Sequence, residues 1–280
     1  MLEQLPLELA RKLSTLKAAL HQMPAIVVAF SGGVDSSLLL KVATVVSPGR
    51  VTAITAVSAS FPANERRDAQ LLVKALGAKH IELFTNELAQ PSYRANLGDR
   101  CYFCRKSLFS AADFHVQAKT LGTLCYGAIP EDLGQDRPGM RAALEYKVKA
   151  PLIDANLSKL EIRQLAKYYG LIVWNKPSAA CLASRFPTGI EVTEDGLARV
   201  EACEIELSKL GFVQFRARFH HEMVRIELDE NGLDRLRQEP RLARAIERCG
   251  FRAGFREVQI DPRGYRSGAV HQPLLVRIDD

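Results

Sequence analysis

The first half of the chain alternates short apolar runs with longer amphipathic segments. Residues 25–30 and 51–57 are continuous apolar runs rich in β-branched residues, which is typical of strands buried on both faces. Residues 34–46 and 62–77 carry the wider spacing of helices. The alternation continues with strands at 80–84 and 123–127 and helices at 104–120 and 158–169. This order predicts an α/β fold with a parallel sheet and helices on both faces.

The pattern changes near residue 190. We expect a helix over 193–210, a strand pair over 213–219 and 222–228, a helix over 231–248 and a strand over 254–260. The sequence therefore predicts two domains. Residues 1–188 would form the parallel-sheet domain, and residues 189–280 a smaller α+β domain for substrate binding or oligomer contacts.

Composition narrows the class of protein. The chain has 280 residues, 47% of them hydrophobic, and a net charge of +6 with acids and bases interleaved. A mild positive excess suits anionic small molecules as well as nucleic acid. No apolar run approaches the roughly 20 residues of a membrane span, and the first 20 residues form an amphipathic pattern rather than a secretion signal. We therefore expect a cytoplasmic protein without membrane contact.

A glycine-rich turn joins the first strand to the first helix of the predicted sheet. The sequence SGGVDSS spans residues 31–37, where Gly32 and Gly33 can adopt positive φ and let backbone amides approach a ligand. Because the following helix directs its N-terminal N–H groups at this turn, a phosphate is the natural occupant. The Walker and dinucleotide glycine patterns are both absent.

This stretch resembles the PP-loop of the ATP pyrophosphatases, which cleave ATP between its α and β phosphates and adenylate a substrate oxygen. The resemblance implies an ATP site, and the alternative is an ordinary turn in a nucleotide-free α/β protein. Ser58, after the second strand, would contact adenine. Asp35 would bind Mg²⁺ or cap the helix. The residues implied in cradling the pyrophosphate are Ser31, Gly32, Gly33, Asp35, Ser36 and Ser37.

Three of the six cysteines stand in polar segments. Cys101 and Cys104 form a Cys-x-x-Cys pair, and Cys181 follows far downstream in a loop-like segment close to Arg185. The pair alone fits a zinc half-site, a redox pair, part of an iron–sulfur site or coincidence. Arg185 could lower the pKa of the Cys181 thiol or bind a phosphate.

Four segments together are similar to the LarE-type sulfur transferases: SGGVDSS, GDRCYFCRKSLF, EDLGQDRPGMRAA and KPSAACLASRFPTG. In that family ATP adenylates a carboxylate of pyridinium biscarboxylic acid mononucleotide, and sulfur insertion then gives a thiocarboxylate. The product matures into the nickel-pincer nucleotide of lactate racemase. The resemblance implies a small mononucleotide substrate, a sulfide source, no nucleic acid partner and a homo-oligomer.

The family uses two sources of sulfur. In one, a lone cysteine at the position of Cys181 gives up its own sulfur and becomes dehydroalanine. In the other, a Cys-x-x-Cys pair and that cysteine hold a 4Fe-4S cluster. Since this sequence has all three cysteines, the resemblance implies that Cys101, Cys104 and Cys181 bind a cluster. Cys181 is present in both forms, so the sacrificial route stays open.

Several arginines are candidates for phosphate contacts. Arg137 lies in the polar segment 131–139, which we expect to form a loop over ATP with acids for Mg²⁺. Arg216 and Arg218 alternate along one strand and therefore share a face. With Arg185 they would grip the phosphate of the substrate, unless they form a solvated strand face.

Three other classes of protein compete with this interpretation. A tRNA thiolase would use the same loop but needs a basic surface or an RNA-binding appendage, and neither is clear in the sequence. An amide-forming synthetase of the NAD type would need no cysteine triad. A nucleotide-binding regulator or iron–sulfur carrier would bind ATP without releasing pyrophosphate.

Overall fold

The computed structural model describes residues 5–119, 121–133, 138–177 and 180–266. The helices and strands, in chain order, are α1 (Leu7–His21), β1 (Ile26–Ala29), α2 (Val34–Val46), β2 (Val51–Val57), α3 (Ala63–Ala75), β3 (Lys79–Phe84), α4 (Pro91–Ala95), α5 (Arg100–Lys119), β4 (Thr123–Tyr126), α6 (Pro138–Glu145), α7 (Pro151–Asp154), α8 (Lys159–Tyr168), α9 (Glu194–Lys209), β5 (Phe215–His220), β6 (Met223–Leu228), α10 (Glu230–Gln238), α11 (Arg241–Arg252) and β7 (Glu257–Ile260). The chain divides into two compact units. The first comprises residues 1–87 and 99–179, and the second comprises residues 88–98 and 180–280.

The first unit contains a four-stranded parallel sheet in the order β3-β2-β1-β4. Val28 of β1 lies opposite Ala53 of β2 and Cys125 of β4, and all three residues are fully buried. Burial on both faces explains why these strands read as continuous apolar runs. The predicted α/β fold with a parallel sheet is confirmed. Because β1 is an inner strand, the loop at its carboxyl end opens where ligands bind in such sheets.

The second unit contains a three-stranded sheet in the order β5-β6-β7. Strand β6 pairs antiparallel with β5 and parallel with β7, and α9 and α11 contribute Val200, Cys203 and Ile246 to the buried side chains. The single helix predicted over 231–248 is two helices, α10 and α11. Pro240 separates them because it lacks the N–H that a continuing helix needs.

The second unit also recruits residues 88–98 from the first half of the chain. The Asn96 side-chain amide donates hydrogen bonds to the carbonyls of Phe186, Pro187 and Ile190 at 2.8–3.2 Å. These bonds tie residues 88–98 to the segment that begins at residue 180. The boundary that the sequence predicts after residue 188 therefore falls inside this unit.

Among the described residues, no helix is both long and apolar enough to cross a membrane.

Candidate active site

The glycine-rich turn has one glycine in the left-handed region rather than two. Gly32 has a φ of +75°, whereas Gly33 has a φ of −75° and is the extended N-cap residue of α2. A Cβ on Gly32 would lie 3.3 Å from the Cβ of Ala69, so this position is also sterically close to α3. Gly33 has no side chain to cap the first amides of α2. Those amides are therefore well suited to an anion.

The serines of this turn divide into two groups. The Ser37 side chain is fully buried and its hydroxyl donates to the Gly33 carbonyl at 2.7 Å, so it supports the turn from inside. The Ser36 hydroxyl also donates to that carbonyl at 3.1 Å. Ser31, Asp35 and Ser36 line the cleft above the turn. The residues predicted to cradle pyrophosphate therefore include both cleft-facing and supporting side chains.

A cleft of about 560 Å³ opens at the carboxyl ends of the first unit's strands. Its size falls within the roughly 300–1,000 Å³ of small-molecule sites. Its walls include Phe30 after β1, Thr55 of β2, Tyr126 of β4 and Leu108 of α5. Its lining includes Phe61 near the end of β2 but not Ser58, whose hydroxyl accepts a hydrogen bond from the Ser60 amide at 3.3 Å. The adenine contact of Ser58 stays a prediction.

Lys159 enters the cleft from the first turn of α8. Its ammonium donates to both carboxylate oxygens of Asp35 at 2.7 Å, across 124 residues of sequence. Its backbone N–H donates to the Glu131 carboxylate at 2.8 Å. Sequence reasoning missed Lys159. The local signal was the Ser158–Glu161 capping box, which marks the start of α8 but not what the helix faces.

Carboxylates suited to Mg²⁺ line the same cleft. Asp35, Glu131 and Asp132 all contribute to its wall, and oxygen ligands are those that Mg²⁺ prefers. Within the described ranges, no three His, Cys, Asp or Glu side chains converge to hold a metal ion. Mg²⁺ that arrives with ATP needs one or two carboxylates, because phosphate oxygens and waters complete its shell. Arg137 lies outside the described residues.

Helix α5 carries the Cys-x-x-Cys pair near its start. The helix begins at Arg100, earlier than the predicted residue 104, so Cys101 and Cys104 lie one turn apart on neighbouring helix positions. Cys101 is exposed, and Cys104 is half-buried and lines the cleft that also holds the glycine-rich turn. A sulfur atom therefore lies in the wall of the candidate ATP site.

Cys181 belongs to the second unit and precedes a short 3₁₀ helix, Leu182–Arg185. The buried Arg185 donates to the carbonyls of Ala180 at 2.6 Å and Cys181 at 3.0 Å. It also makes two 2.8 Å bonds to the Glu204 carboxylate. Arg185 thus fixes the backbone at Cys181. Sequence reasoning missed Glu204, because its partner lies on a separate element.

Arg218 and Arg216 lie on the polar face of the second unit's sheet. Arg218 is buried against Glu227 at 2.9 Å and donates to the Ser184 carbonyl at 2.9 Å. Arg216 stacks over the Tyr265 ring with its guanidinium carbon 5.1 Å from the centroid. Burial and the neighbouring charge of Arg185 lower the pKa of Arg216. Arg216 is half-buried, whereas Arg218 is buried, so Arg216 is the more accessible of the two cations on this face.

The remaining cysteines are structural. Cys125 and Cys203 are fully buried, and burial raises the pKa of each thiol to about 12. Cys249 is buried on α11, and burial raises its thiol pKa as well. These thiols are poor nucleophiles at neutral pH.

Comparison with known proteins agrees with this geometry. A family model described as asparagine synthase matches residues 14–95. An uncharacterised protein of Synechocystis sp. is 38% identical over 266 residues, covering 95% of this chain and 99% of its own length. The pyridinium-3,5-bisthiocarboxylic acid mononucleotide synthase of Lactiplantibacillus plantarum is 36% identical over 268 residues, or 95% and 96% of the two chains. An uncharacterised protein of Methanocaldococcus jannaschii is 25% identical over 242 residues.

A parallel sheet whose inner strand leads through SGGVDSS into a helix, with an open cleft at the strand ends, defines the PP-loop class of ATP pyrophosphatases. The likeness to the L. plantarum synthase extends over nearly the whole of both chains. The chain therefore belongs to the LarE-type family of ATP-dependent sulfur transferases, and the resemblance found in the sequence is confirmed.

Proposed function

We propose that this protein uses ATP to adenylate a carboxylate of pyridinium biscarboxylic acid mononucleotide and then replaces a carboxylate oxygen by sulfur. The thiocarboxylate product leads to the nickel-pincer nucleotide of lactate racemase. The observation that carries this proposal is the cleft of the first unit, where the PP-loop and Cys104 line one cavity. The L. plantarum relative is named as a synthase of pyridinium-3,5-bisthiocarboxylic acid mononucleotide, which supports the choice of substrate.

The adenylation follows from the residues of the cleft. A carboxylate oxygen of the substrate attacks the α-phosphorus of ATP in line, and pyrophosphate leaves. The PP-loop amides and Ser31 hold the departing pyrophosphate, while Asp35 and Glu131 fit the Mg²⁺ that accompanies ATP. A sulfur nucleophile then attacks the acyl carbon and displaces AMP. Activation is necessary because sulfide is repelled by an unmodified carboxylate.

The substrate phosphate is assigned to the arginines of the second unit. Arg216 is the direct contact in this proposal, because it is half-buried on the polar sheet face, whereas Arg185 and Arg218 are buried. Arg185 and Arg218 support this contact indirectly, because they donate hydrogen bonds to the backbone carbonyls of Ala180 and Ser184. The affinity of the Arg216→Gln variant for phosphate, measured by titration, tests this assignment. Arg252→Gln, on the exposed surface of α11, is the control.

We propose that the transferred sulfur is carried by a 4Fe-4S cluster. Its ligands would be Cys101, Cys104 and Cys181. The donor chemistry fits, since thiolates are the ligands of such clusters and two of the thiols lie one turn apart on α5. A cluster held by three cysteines leaves one iron open to bind sulfide.

A second route is favoured by one observation. The Cys181 backbone is fixed by the buried Arg185, which suits a side chain that must attack a bound substrate. In this route the Cys181 sulfur displaces AMP to form a thioester. Loss of the Cα proton and cleavage of the Cβ–S bond then release the thiocarboxylate and leave dehydroalanine.

Anaerobic purification with iron and sulfide analysis separates the two routes. We expect about four irons and four sulfides per chain, lost in Cys101→Ala, Cys104→Ala and Cys181→Ala but kept in Cys249→Ala. Absence of iron after reconstitution would overturn the cluster route. Intact mass after turnover then reports whether Cys181 has lost the elements of H₂S.

Pyrophosphate release tests the function itself. We expect release to depend on the mononucleotide and a thiocarboxylate to appear in its mass spectrum. Release that instead depends on tRNA would identify a thiolase, and ATP binding without release would identify a regulator or carrier.

A further inference from the structure

A second cavity, a groove of about 810 Å³, also borders the PP-loop. Gly32 lines this groove, whereas the preceding residue, Ser31, lines the ATP cleft, and the two cavities share no lining residue. The groove lies between α3 and the segment 169–176 at the end of α8, so it belongs entirely to the first unit. The reaction proposed above uses none of its side chains.

The groove has mainly apolar walls, and its volume falls within the roughly 300–1,000 Å³ of small-molecule sites. Leu72, Leu171 and Val173 line it, are at most 7% exposed and belong to the main hydrophobic core of the unit. Leu71 and Ile172 also line it but are 61% and 86% exposed, so apolar surface faces solvent there. Such a surface favours a ligand with an apolar body.

Hydrogen bonds and an ion pair hold the two walls of the groove in place. Arg163 of α8 donates to the carbonyls of Trp174 and Lys176, both at 2.9 Å. The Lys176 ammonium in turn donates to the Glu65 carboxylate of α3 at 2.7 Å. The segment after α8 is therefore tied to both helices. Because the walls are already held, a ligand that enters the groove has to order little of the protein.

The charges along the groove select the polar group of the ligand. Lys176 is neutralised by Glu65 and Asp68, at 2.7 and 3.8 Å. Lys41 of α2 also lines the groove, and no carboxylate pairs with it among the described residues. The hydroxyl of Tyr169, a third lining residue, is buried and has no hydrogen-bond partner within the same part of the chain. A carboxylate offers the negative charge and the acceptor oxygens that these two donors lack.

Gly32 connects the groove to the nucleotide site. A Cβ on Gly32 would lie 3.3 Å from the Cβ of Ala69, so the PP-loop packs directly against α3, the helix that provides one wall of the groove. We propose that the groove is a regulatory site for an apolar monocarboxylate, such as a medium-chain aliphatic acid, and that its occupation changes the affinity of the PP-loop for ATP. The proposal goes beyond sulfur transfer and does not depend on it.

Binding of octanoate, measured by calorimetry beside octanol and octylamine, tests the class of ligand. We expect the wild type to bind octanoate most tightly, because only octanoate combines the apolar chain with a negative charge. Lys41→Gln should lower octanoate affinity by ~10-fold and leave octanol affinity unchanged. Ile172→Glu should weaken both, because it places a charge at the apolar edge of the groove.

Two residues of α1 provide matched controls. Lys17 is half-buried and has no ion-pair partner among the described residues, and Leu7 is 80% exposed. Because neither residue lines the groove, Lys17→Gln and Leu7→Glu should bind octanoate as the wild type does. Equal affinity of the wild type for octanoate and octanol, or an equal loss in Lys17→Gln and Lys41→Gln, would overturn the choice of a carboxylate.

The regulatory effect is measured as the affinity for the Mg²⁺ complex of α,β-methylene ATP, with and without saturating octanoate. We expect octanoate to change this affinity by ~5-fold or more in the wild type, and the analogue to change octanoate affinity by the same factor. Octanoate at the same concentration should have a much smaller effect in Lys41→Gln. An unchanged analogue affinity in the wild type would refute regulation.

Sedimentation distinguishes a ligand site from a contact between copies of the chain. Ile172→Glu should keep the molecular mass of the wild type. A smaller mass would mean that another copy covers the groove, which would also overturn the proposal.

Discussion

The two units of this chain hold their charged side chains in opposite ways. In the first unit, Asp35 and Lys159 meet in an open cleft and remain 25% and 36% exposed. In the second unit, Arg218 and Glu227 meet beneath the sheet surface and are 4% and 0% exposed. The hydrogen-bond lengths are similar, at 2.7 and 2.9 Å.

The difference lies in what it costs to separate the partners. An exposed pair contributes about 0–1 kcal/mol, because water replaces each partner readily. Removing one member of a buried pair costs about 3–5 kcal/mol, because the other charge is left without solvent. The cleft of the first unit can therefore give its charges to a ligand, whereas the buried pair of the second unit holds a surface in place.

The largest effect should come from breaking the buried pair. Glu227 accepts hydrogen bonds from Arg218 and Arg225, so Glu227→Ala leaves two buried arginines facing each other. We expect this change to destabilise the second unit by about 3–5 kcal/mol. Glu206→Ala, which removes a carboxylate paired with the exposed Lys209 on α9, should cause no resolvable change.

Urea unfolding can locate this loss in one unit. Trp174, the single tryptophan of the chain, lies in the first unit, so its fluorescence reports that unit while circular dichroism reports both. Glu227→Ala should shift the dichroism transition to lower urea and leave the fluorescence transition in place. Equal shifts of both transitions would contradict the separation of the two units.

The next largest effect concerns pH and His220. Burial, with the neighbouring charges of Arg225, His221 and Arg218, lowers the pKa of His220 from 6.5 to about 4. Neither ring nitrogen has a hydrogen-bond partner among the described residues. As pH falls, His220 therefore binds a proton in the unfolded chain at a higher pH than in the folded chain. Stability is full above pH 6.5 and declines between pH 6.5 and 4, by up to about 3 kcal/mol.

Replacing the histidine should remove that part of the pH dependence. We expect His220→Gln to unfold with a flatter profile between pH 6.5 and 4, measured by dichroism in urea. His21→Gln, at an exposed position of α1, should keep the wild-type slope. Identical slopes for all three proteins would mean that His220 is not buried in its neutral form.

A smaller effect is expected at two glycines of the first unit. Gly127 is required by close packing, whereas Gly33 is required by the ligand. A Cβ on Gly127, after β4, would lie 2.9 Å from the Ser36 nitrogen and 3.1 Å from the Asp35 carbonyl carbon. We expect Gly127→Ala to displace the start of α2, costing about 1–3 kcal/mol and weakening ATP binding. A Cβ on Gly33 would meet the Ser31 hydroxyl at an ordinary 3.5 Å.

Gly33→Ala therefore tests the ligand rather than the fold. It should keep the thermal midpoint of the wild type and lose affinity for the Mg²⁺-bound ATP analogue, because the new methyl group stands where phosphate approaches the amides. If Gly33→Ala binds the analogue normally, the turn does not cradle the phosphates as proposed.

The sequence predicted the elements whose signals are local. The bounds of α2 and β2 match the predicted ranges 34–46 and 51–57, because each is a continuous pattern ended by turn residues. The sequence predicts one helix across Pro240 because the amphipathic pattern continues on both sides of it. The predicted start of α5 at residue 104 is too late, because Cys101 and its neighbours carry no helical signal of their own.

The residues of the candidate site also divide into those that the sequence predicts and those that it does not. The PP-loop and the cysteine pair stand as contiguous residues and were visible in the sequence. Lys159, Glu204 and Glu227 were not, because each acts through a partner on another element. Only the folded chain brings such charges together, and one sequence carries no sign of the pairing.

The smallest effect distinguishes two serines that the sequence assigned to the same task. Ser37 is fully buried and donates to the Gly33 carbonyl at 2.7 Å, whereas Ser31 lines the cleft. We expect Ser37→Ala to cost about 1 kcal/mol of stability and to leave affinity for the ATP analogue nearly unchanged. Ser31→Ala should do the reverse, lowering affinity with little change in the thermal midpoint. Equal losses of affinity in both variants would mean that the loop moves as one body when the nucleotide binds, since a buried hydroxyl can reach a phosphate only if α2 shifts.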